Sequence, residues 1–299
     1  MPTITRPTKT AGAVTVELRP IEPADGDECA RIVYEAFGAI DDHYRFERDF
    51  PSLEAAEQLT SAFIAHPSVW GVVAEREGQI LGSNFVDERG PIRGLGPITV
   101  DPLAQGAGVG RRLMEAALER SQGARGIRLF QDSFNVGSLS LYASLGFEVK
   151  ESVVVISGKP RSEPVGGGEV RPITEDDLEH CEALCKKVHG FERTNELRDA
   201  MQAFAPFVAI REGRITAYAS NVTFWPMAHG VAESDEDMKA LLLGAAAAVE
   251  EPIAFLVPIR SGLFRWCLAE GLRLVKPMNL MAVGEYHEPS GSWFPNVLY

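Results

Sequence analysis

Ile98-Thr99-Val100-Asp101-Pro102-Leu103-Ala104-Gln105-Gly106-Ala107-Gly108-Val109-Gly110-Arg111-Arg112-Leu113-Met114 runs from an apolar strand end, through a glutamine and three glycines at alternate positions, into helix-forming residues. Glycines alternating with small residues leave the backbone bare, so its N–H groups can turn inward and approach an anion closely. The helix that follows adds the positive end of its dipole at the same point. The segment reads as a cradle for a phosphate or pyrophosphate. A glycine-rich turn with no ligand is the alternative reading of the same residues.

Two familiar phosphate loops are excluded. A Walker loop requires Lys then Ser or Thr after its last glycine, and Arg111-Arg112 stand there instead. A dinucleotide fingerprint requires two residues between its second and third glycines, whereas Gly106, Gly108 and Gly110 are evenly spaced.

A second stretch follows about thirty residues later: Asp132-Ser133-Phe134-Asn135-Val136-Gly137-Ser138-Leu139-Ser140-Leu141-Tyr142-Ala143-Ser144-Leu145-Gly146-Phe147. Asn135 is placed to cap the start of a short helix and Gly146 to end it. Helical spacing alone makes Tyr142 a core aromatic beside Leu141 and Leu145.

Together the two stretches resemble the GNAT N-acetyltransferase family. Gln105, Gly108 and Gly110 fill its Gln/Arg-x-x-Gly-x-Gly/Ala signature. The second segment is similar to its Asn motif, with a Tyr seven residues on and Gly-Phe after the helix. The resemblance covers about residues 16–157 well and the remainder weakly. It implies a mixed-sheet α/β fold and acetyl-CoA as co-substrate, with no metal.

Backbone groups of Gly106, Ala107, Gly108, Val109, Gly110 and Arg111 would hold the pyrophosphate. Ile98, Thr99 and Val100 would pair with the pantetheine amides, Asn135 and Ser138 would line the pantetheine arm, and Tyr142 would protonate the departing thiolate. Pro97 lacks a donor and lies between Gly96 and Ile98, so strand pairing should break there, as suits a donor wedged between splayed strands. The family often carries a glutamate early in this strand. Gly94 occupies that place, so a general base would come from Asp132, Glu88 or Asp87 through a water, or the amine would arrive deprotonated. His43 and Tyr44 could touch the acceptor.

Around these motifs, strands are expected at Val16–Pro20, Val72–Arg76, Ile80–Val86, Leu95–Val100 and Ile127–Gln131, with two more around Phe147–Ile156. Helices are expected at Ala24–Phe37, from the Ser52 N-cap to about Ala65, at Gly108–Ser121 and at Asn135–Leu145.

After Gly158–Gly168, a linker by composition, the pattern restarts. Leu18-Arg19-Pro20-Ile21 returns as Val170-Arg171-Pro172-Ile173, and Cys29 as Cys181, at one offset of 152 residues. Val73–Gly78 is echoed by Val208–Gly213, and Leu145–Val149 by Glu270–Leu274. Where the loop should recur stands His229-Gly230-Val231-Ala232-Glu233-Ser234-Asp235-Glu236-Asp237, whose four carboxylates would repel a pyrophosphate. Cys267 stands where the first copy has Tyr142.

The expected organisation is therefore two tandem GNAT-like domains. A disordered tail (1–14) precedes a catalytic domain (15–157), a linker (158–168) and a degenerate copy (169–299). The aromatic segment Tyr286–Asn296 is expected to pack as a closing strand, with covering of the acceptor cleft as the alternative.

The chain has 299 residues, 45 % of them hydrophobic and 24 % charged. Its net charge of −13 and pI near 5.0 give no basic stripe for nucleic acid. Acidity would draw cationic acceptors such as polyamines or aminoglycosides, and it would equally serve solubility. No apolar run approaches the roughly 20 residues that span a bilayer. Met1–Ala13 lacks the apolar core of a secretory signal.

Cys29, Cys181, Cys185 and Cys267 read as reduced thiols of a cytoplasmic protein. Cys181, Cys185 and His189 share a helix face with Leu184 and Val188, which reads as core rather than a zinc site. The functional expectation is an N-acetyltransferase acting on a small-molecule primary amine in a ternary complex, as a monomer or homodimer. An acyl-CoA sensor without turnover, or a protein lysine acetyltransferase, are the alternatives.

Overall fold

The computed structural model describes residues 16–164 and 168–299. The expected tail, and Val165–Gly167 of the expected linker, lie outside the described residues.

The first half runs β1 (Glu17–Pro20), α1 (Gly26–Tyr44), α2 (Leu53–Ala65), β2 (Val69–Arg76), β3 (Gln79–Asp87), β4 (Ile92–Leu95), β5 (Thr99–Val100), α3 (Val109–Arg120), β6 (Gly126–Asp132), α4 (Val136–Ser144) and β7 (Glu148–Gly158). The second follows a similar order, with one strand fewer before its third helix and an added last strand: β8 (Glu169–Pro172), α5 (Leu178–His189), α6 (Thr194–Ala203), β9 (Phe207–Arg211), β10 (Arg214–Ala219), β11 (Gly230–Ala232), α7 (Asp235–Ala248), β12 (Ile253–Pro258), α8 (Gly262–Ala269), β13 (Arg273–Gly284) and β14 (Ser292–Phe294).

The repeat extends to side chains. Arg19 binds Asp25 through two hydrogen bonds of 2.7 and 2.9 Å, and Arg171 binds Asp177 at 2.6 and 2.8 Å. Each aspartate also accepts the N–H of the residue three before it, Glu22 or Thr174, at 2.8 Å, closing matching capping boxes. The β2–β3 and β9–β10 hairpins turn on Glu77-Gly78 and Glu212-Gly213. All four residues have left-handed φ (55° and 78°, 54° and 75°), the backbone of a two-residue hairpin turn.

The halves do not keep separate sheets. Nine strands form one mixed sheet in the order β1-β2-β3-β4-β6-β13-β7-β12, with β5 beside β3, while β14-β11-β10-β9-β8 form a second. Strand β13 thus crosses from the repeat into the first half. It pairs antiparallel with β6 (Met278↔Asp132 to Gly284↔Gly126) on one side and with β7 on the other.

This explains a difference from expectation. Phe147–Ile156 gives one long strand rather than two, because the neighbour that a second strand would supply arrives from the repeat. Helix α1 also runs seven residues past the expected Phe37, to Tyr44, because Gly38 and Asp41 continue its buried face.

On one face of the first half, Val109, Leu113, Met114 and Ala117 of α3 pack over Val72, Ala74, Leu81 and Val86 of β2 and β3. Ser52 caps α2 by accepting the Ala55 N–H at 3.2 Å, a contribution of about 1 kcal/mol. Strand β14 closes the second sheet against β11, and the residues after it return to the first half. Leu298 packs there against Phe63 and Phe85. The four cysteines are buried free thiols. No helix among the described residues is long and apolar enough to cross a membrane.

Candidate active site

The expected break in strand pairing is present and creates the site. Strand β4 pairs in parallel with β6 only from Ile92↔Gly126 to Gly94↔Arg128. Beyond it, the chain through Pro97 reaches β5, whose strand partner among the described residues is β3 (Ser83↔Thr99, Gly82↔Val100). The Asp101 N–H donates to Leu81 O, so by the alternation of an antiparallel ladder the Val100 N–H faces away from β3 into the gap.

A cavity of about 750 Å³ opens there. Ile98, Thr99, Val100, Gln105, Gly106, Gly108, Val109, Gly110 and Arg111 line one side, and Gln131, Asp132, Asn135, Ser138 and Tyr142 line the other. Among the expected coenzyme residues only Ala107 is not part of its wall.

The loop before α3 is shaped as a backbone cradle. Gly106 and Gly108 adopt φ of 78° and 84°, where an L side chain is strained, and nothing lies within 4 Å of where a Cβ would project. Gln105 folds back to donate to Val100 O at 3.3 Å. Asp101 secures the loop's entry: one oxygen accepts the Leu103 N–H at 2.8 Å and the other accepts from Arg31 of α1 at 2.9 Å. The first turn of α3 keeps its unsatisfied N–H groups at the cavity's mouth. This bare, left-handed, open backbone fits the diphosphate of an acyl-CoA.

Opposite, Asn135 Oδ1 caps α4 by accepting the Ser138 N–H at 3.2 Å, and Gln131 Nε2 holds the Ser138 hydroxyl at 3.1 Å and the Asn135 carbonyl at 2.9 Å. These bonds fix the turn that presents Tyr142 from the buried face of α4. Burial, with Asp132 nearby, pushes the Tyr142 phenol upward, so it stays protonated at neutral pH.

Among the expected bases the outcome divides. Asp132 lines the cavity. Glu88 does not: its carboxylate is taken by Arg120 through hydrogen bonds of 2.9 and 2.8 Å, away from the gap. Asp87 is likewise held by Arg89, with the closest contact at 2.7 Å. His43 and Tyr44 stack edge-on at 4.7 Å, and Tyr44 packs on Phe134 outside the cavity wall.

Gly94, at the place where the family often carries a glutamate, is sealed. A Cβ there would meet the Leu298 backbone at 2.6–2.9 Å.

Two residues that sequence reasoning missed pair beside Asp132, and one of them, Asp49, is in the cavity wall. Lys276 of β13 is 1 % exposed, and its ammonium lies 2.5 Å from Asp49, 3.0 Å from Asp132 and 4.0 Å from Asp41. Asp49 follows α1, with its N–H donated to Asp41 at 3.1 Å, and its own side chain reaches the cavity. Burial raises Asp49 to about 7 despite the adjacent lysine, with Asp132 and Asp41 adding to the rise. No local motif marks either residue, since they meet only through the strand crossing.

In the second half the equivalent of the cradle is absent. Two residues, Glu233 and Ser234, join β11 to α7, and Ser234 caps the helix by accepting the Asp237 N–H at 3.2 Å. Asp237 is bound by Arg211 at 2.8 and 3.1 Å. Cys267, opposite Tyr142 in the repeat, is fully buried, and burial pushes its thiol up to about 12.

A cofactor-sized gap between splayed strands, opened by a glycine cradle at a helix start, defines the GNAT fold class, duplicated here. Residues 67–149 match the family model of the acetyltransferase (GNAT) domain.

A candidate acetyltransferase from Pyrococcus horikoshii superposes over 99 % of this chain and 98 % of its own, with TM-score 0.75 at 16 % identity. A tandem GNAT protein from the clavulanic acid biosynthesis pathway superposes over 90 % of this chain and 98 % of its own, with TM-score 0.55 at 12 % identity. At these identities the likeness is one of fold.

In sequence the chain is similar to mycothiol acetyltransferases. It is 38 % identical to that of Thermomonospora curvata, over 25 % of this chain and 26 % of the relative, and 33 % identical to that of Amycolatopsis mediterranei, over 27 % and 31 %. The match thus spans between a quarter and a third of those relatives.

Proposed function

We propose that this chain moves the acetyl group of acetyl-CoA to a primary amine of a small molecule by direct attack while both are bound. We assign the chemistry to the first half, with the second as a non-catalytic copy that helps wall the acceptor side. One observation carries the reading. A single cavity runs from the Gly106–Arg111 cradle past Tyr142 to buried carboxylates, so a donor and an acceptor can meet inside it. Holding two reactants together in one cleft supplies much of the acceleration such a transfer needs.

The coenzyme, when bound, supplies an acetyl group activated as a thioester. N–H groups from Gly106 to Arg111, with the α3 dipole, hold its diphosphate. The gap-facing edge of Ile98–Val100 takes the pantetheine amides, and the Val100 N–H is turned to stabilise an oxyanion. Asn135 and Ser138 wall the arm, and the buried, protonated Tyr142 is the acid for the leaving sulfur.

Thiol release from acetyl-CoA, followed with a panel of amines, tests the proposal. Tyr142→Phe is expected to lower kcat by about 10²-fold or more while leaving coenzyme affinity unchanged. No amine-dependent thiol release by the unaltered protein would contradict it.

A further inference from the structure

We infer that the inner end of the cavity is an acceptor subsite for an apolar primary monoamine, whose ammonium docks between Asp49 and Asp132 and loses its proton to Asp49. This deepens the acetyl-transfer reading and rests on it. Beyond the coenzyme residues the cavity wall changes character. Phe37 and Phe50, from α1 and the loop after it, line it together with Trp225, Met227 and Val297, which come from the repeat.

The repeat's contribution is a held structure. Asn221 Oδ1 accepts the N–H groups of Thr223 and Phe224 at 2.9 and 3.3 Å, and the Val297 N–H donates to Pro226 O at 3.0 Å. Phe37 and Phe50 meet edge to face at 5.5 Å. Carboxylates in this part of the wall are confined to Asp49 and Asp132 at its far end. A polyamine or aminoglycoside would strand its further charges against aromatic and aliphatic carbon, which is costly without partners. One charge and an apolar body match the wall.

Three carboxylates stand around one lysine there, so the far end carries excess negative charge. Asp132 is 8 % exposed and lines the cavity, and its Oδ1 pairs with the Lys276 ammonium at 3.0 Å. The groups facing Asp49 are Lys276 from β13, Asp132 from β6 and Asp41 from α1, one positive charge among carboxylates. An arriving ammonium balances the excess negative charge. It also lies close to the Lys276 ammonium, and two like charges sharing the same carboxylates weaken the newcomer's hold on its proton. Asp49, poised near neutral pH by burial, is the acceptor for that proton.

The step balances. The nitrogen gives one proton to Asp49, forms the N–C bond with the thioester carbonyl carbon, and the C–S bond breaks with its pair on sulfur. Tyr142 protonates that sulfur and is restored by the second proton the nitrogen sheds. Asp49 passes its proton to solvent, so one ammonium and one thioester give one amide, one thiol and one proton.

The test compares 2-phenylethylamine and n-hexylamine with spermidine and L-lysine as acceptors, with calorimetric binding of acetyl-CoA measured on the same samples. The expected result is kcat/KM at least tenfold higher for the two apolar monoamines. Asp49→Asn should abolish the rise of kcat/KM with pH near 7 while preserving acetyl-CoA affinity. As a second variant, Trp225→Ala should narrow the preference for 2-phenylethylamine over ethylamine.

Preference for spermidine or L-lysine, or an unchanged pH profile in Asp49→Asn, overturns the inference. So does acetyl-CoA binding with no apolar amine accepted, an outcome that leaves the coenzyme site standing. Failure of acetyl-CoA to bind would instead strike the transfer reading itself.

Discussion

Gly94 and Leu298 are in backbone contact: a Cβ on Gly94 would stand 2.6 Å from the Leu298 carbonyl oxygen and 2.8 Å from its Cα. Residues about two thirds of the chain apart therefore close the strand position where this family often places its glutamate. Installing that side chain cannot restore a base, because backbone rather than a flexible side chain blocks it. Gly94→Glu is expected to lower the thermal midpoint and to give no gain in kcat. An active, undestabilised Gly94→Glu protein would refute this packing.

The cradle depends on glycine at Gly106, whose φ of 78° costs an L residue about 1–2 kcal/mol and whose Cβ would project into open cavity. Gly106→Val should weaken acetyl-CoA binding at least tenfold by calorimetry, with only a modest fall in folding stability. Equal affinity in the variant would show that the backbone there is not the anion site.

Among the described residues, Lys276 is the one cation within 4.0 Å of Asp41, Asp49 and Asp132. Removing it strands buried carboxylates, so Lys276→Ala should cost about 3–5 kcal/mol in urea denaturation. Adding Asp49→Asn to Lys276→Ala should recover part of that loss, since it removes one of the unpaired charges. Additive losses in the double variant would contradict the coupling.

Stability should also depend on Asp49 in a defined pH direction. Its folded value, about 7, is raised above that of the unfolded chain, chiefly by burial. Its contribution is therefore fully present below the ordinary carboxylate range and is lost as pH rises through about 7. Unaltered protein should lose stability between pH 5 and 8 more steeply than Asp49→Asn. Parallel stability curves would assign the pH dependence elsewhere.

What was legible in the sequence was whatever backbone chemistry writes locally. Gly106 and Gly108 announce left-handed backbone, Ser52 and Asn135 announce helix starts, and Pro97 announces a break in pairing. The duplication was legible because Leu18–Ile21 and Cys29 return as Val170–Ile173 and Cys181, and in the structure both copies carry the same Arg–Asp pair. The base pocket was not. Asp49 sits in an irregular loop, and Lys276 reaches it only because β13 inserts between β6 and β7. Glu88 looked available because sequence does not reveal that Arg120, 32 residues on, claims it. Trp225 and Val297 belong to a repeat that lacks the signatures, so nothing local ties them to the site.

The central claim is that one main-chain cradle, and not its counterpart in the repeat, binds the coenzyme. Calorimetric titration of the full chain with acetyl-CoA tests it most directly. One site per chain is predicted for the unaltered protein, lost or weakened at least tenfold in Gly106→Val. No binding, two equivalent sites, or one site indifferent to Gly106→Val would contradict it.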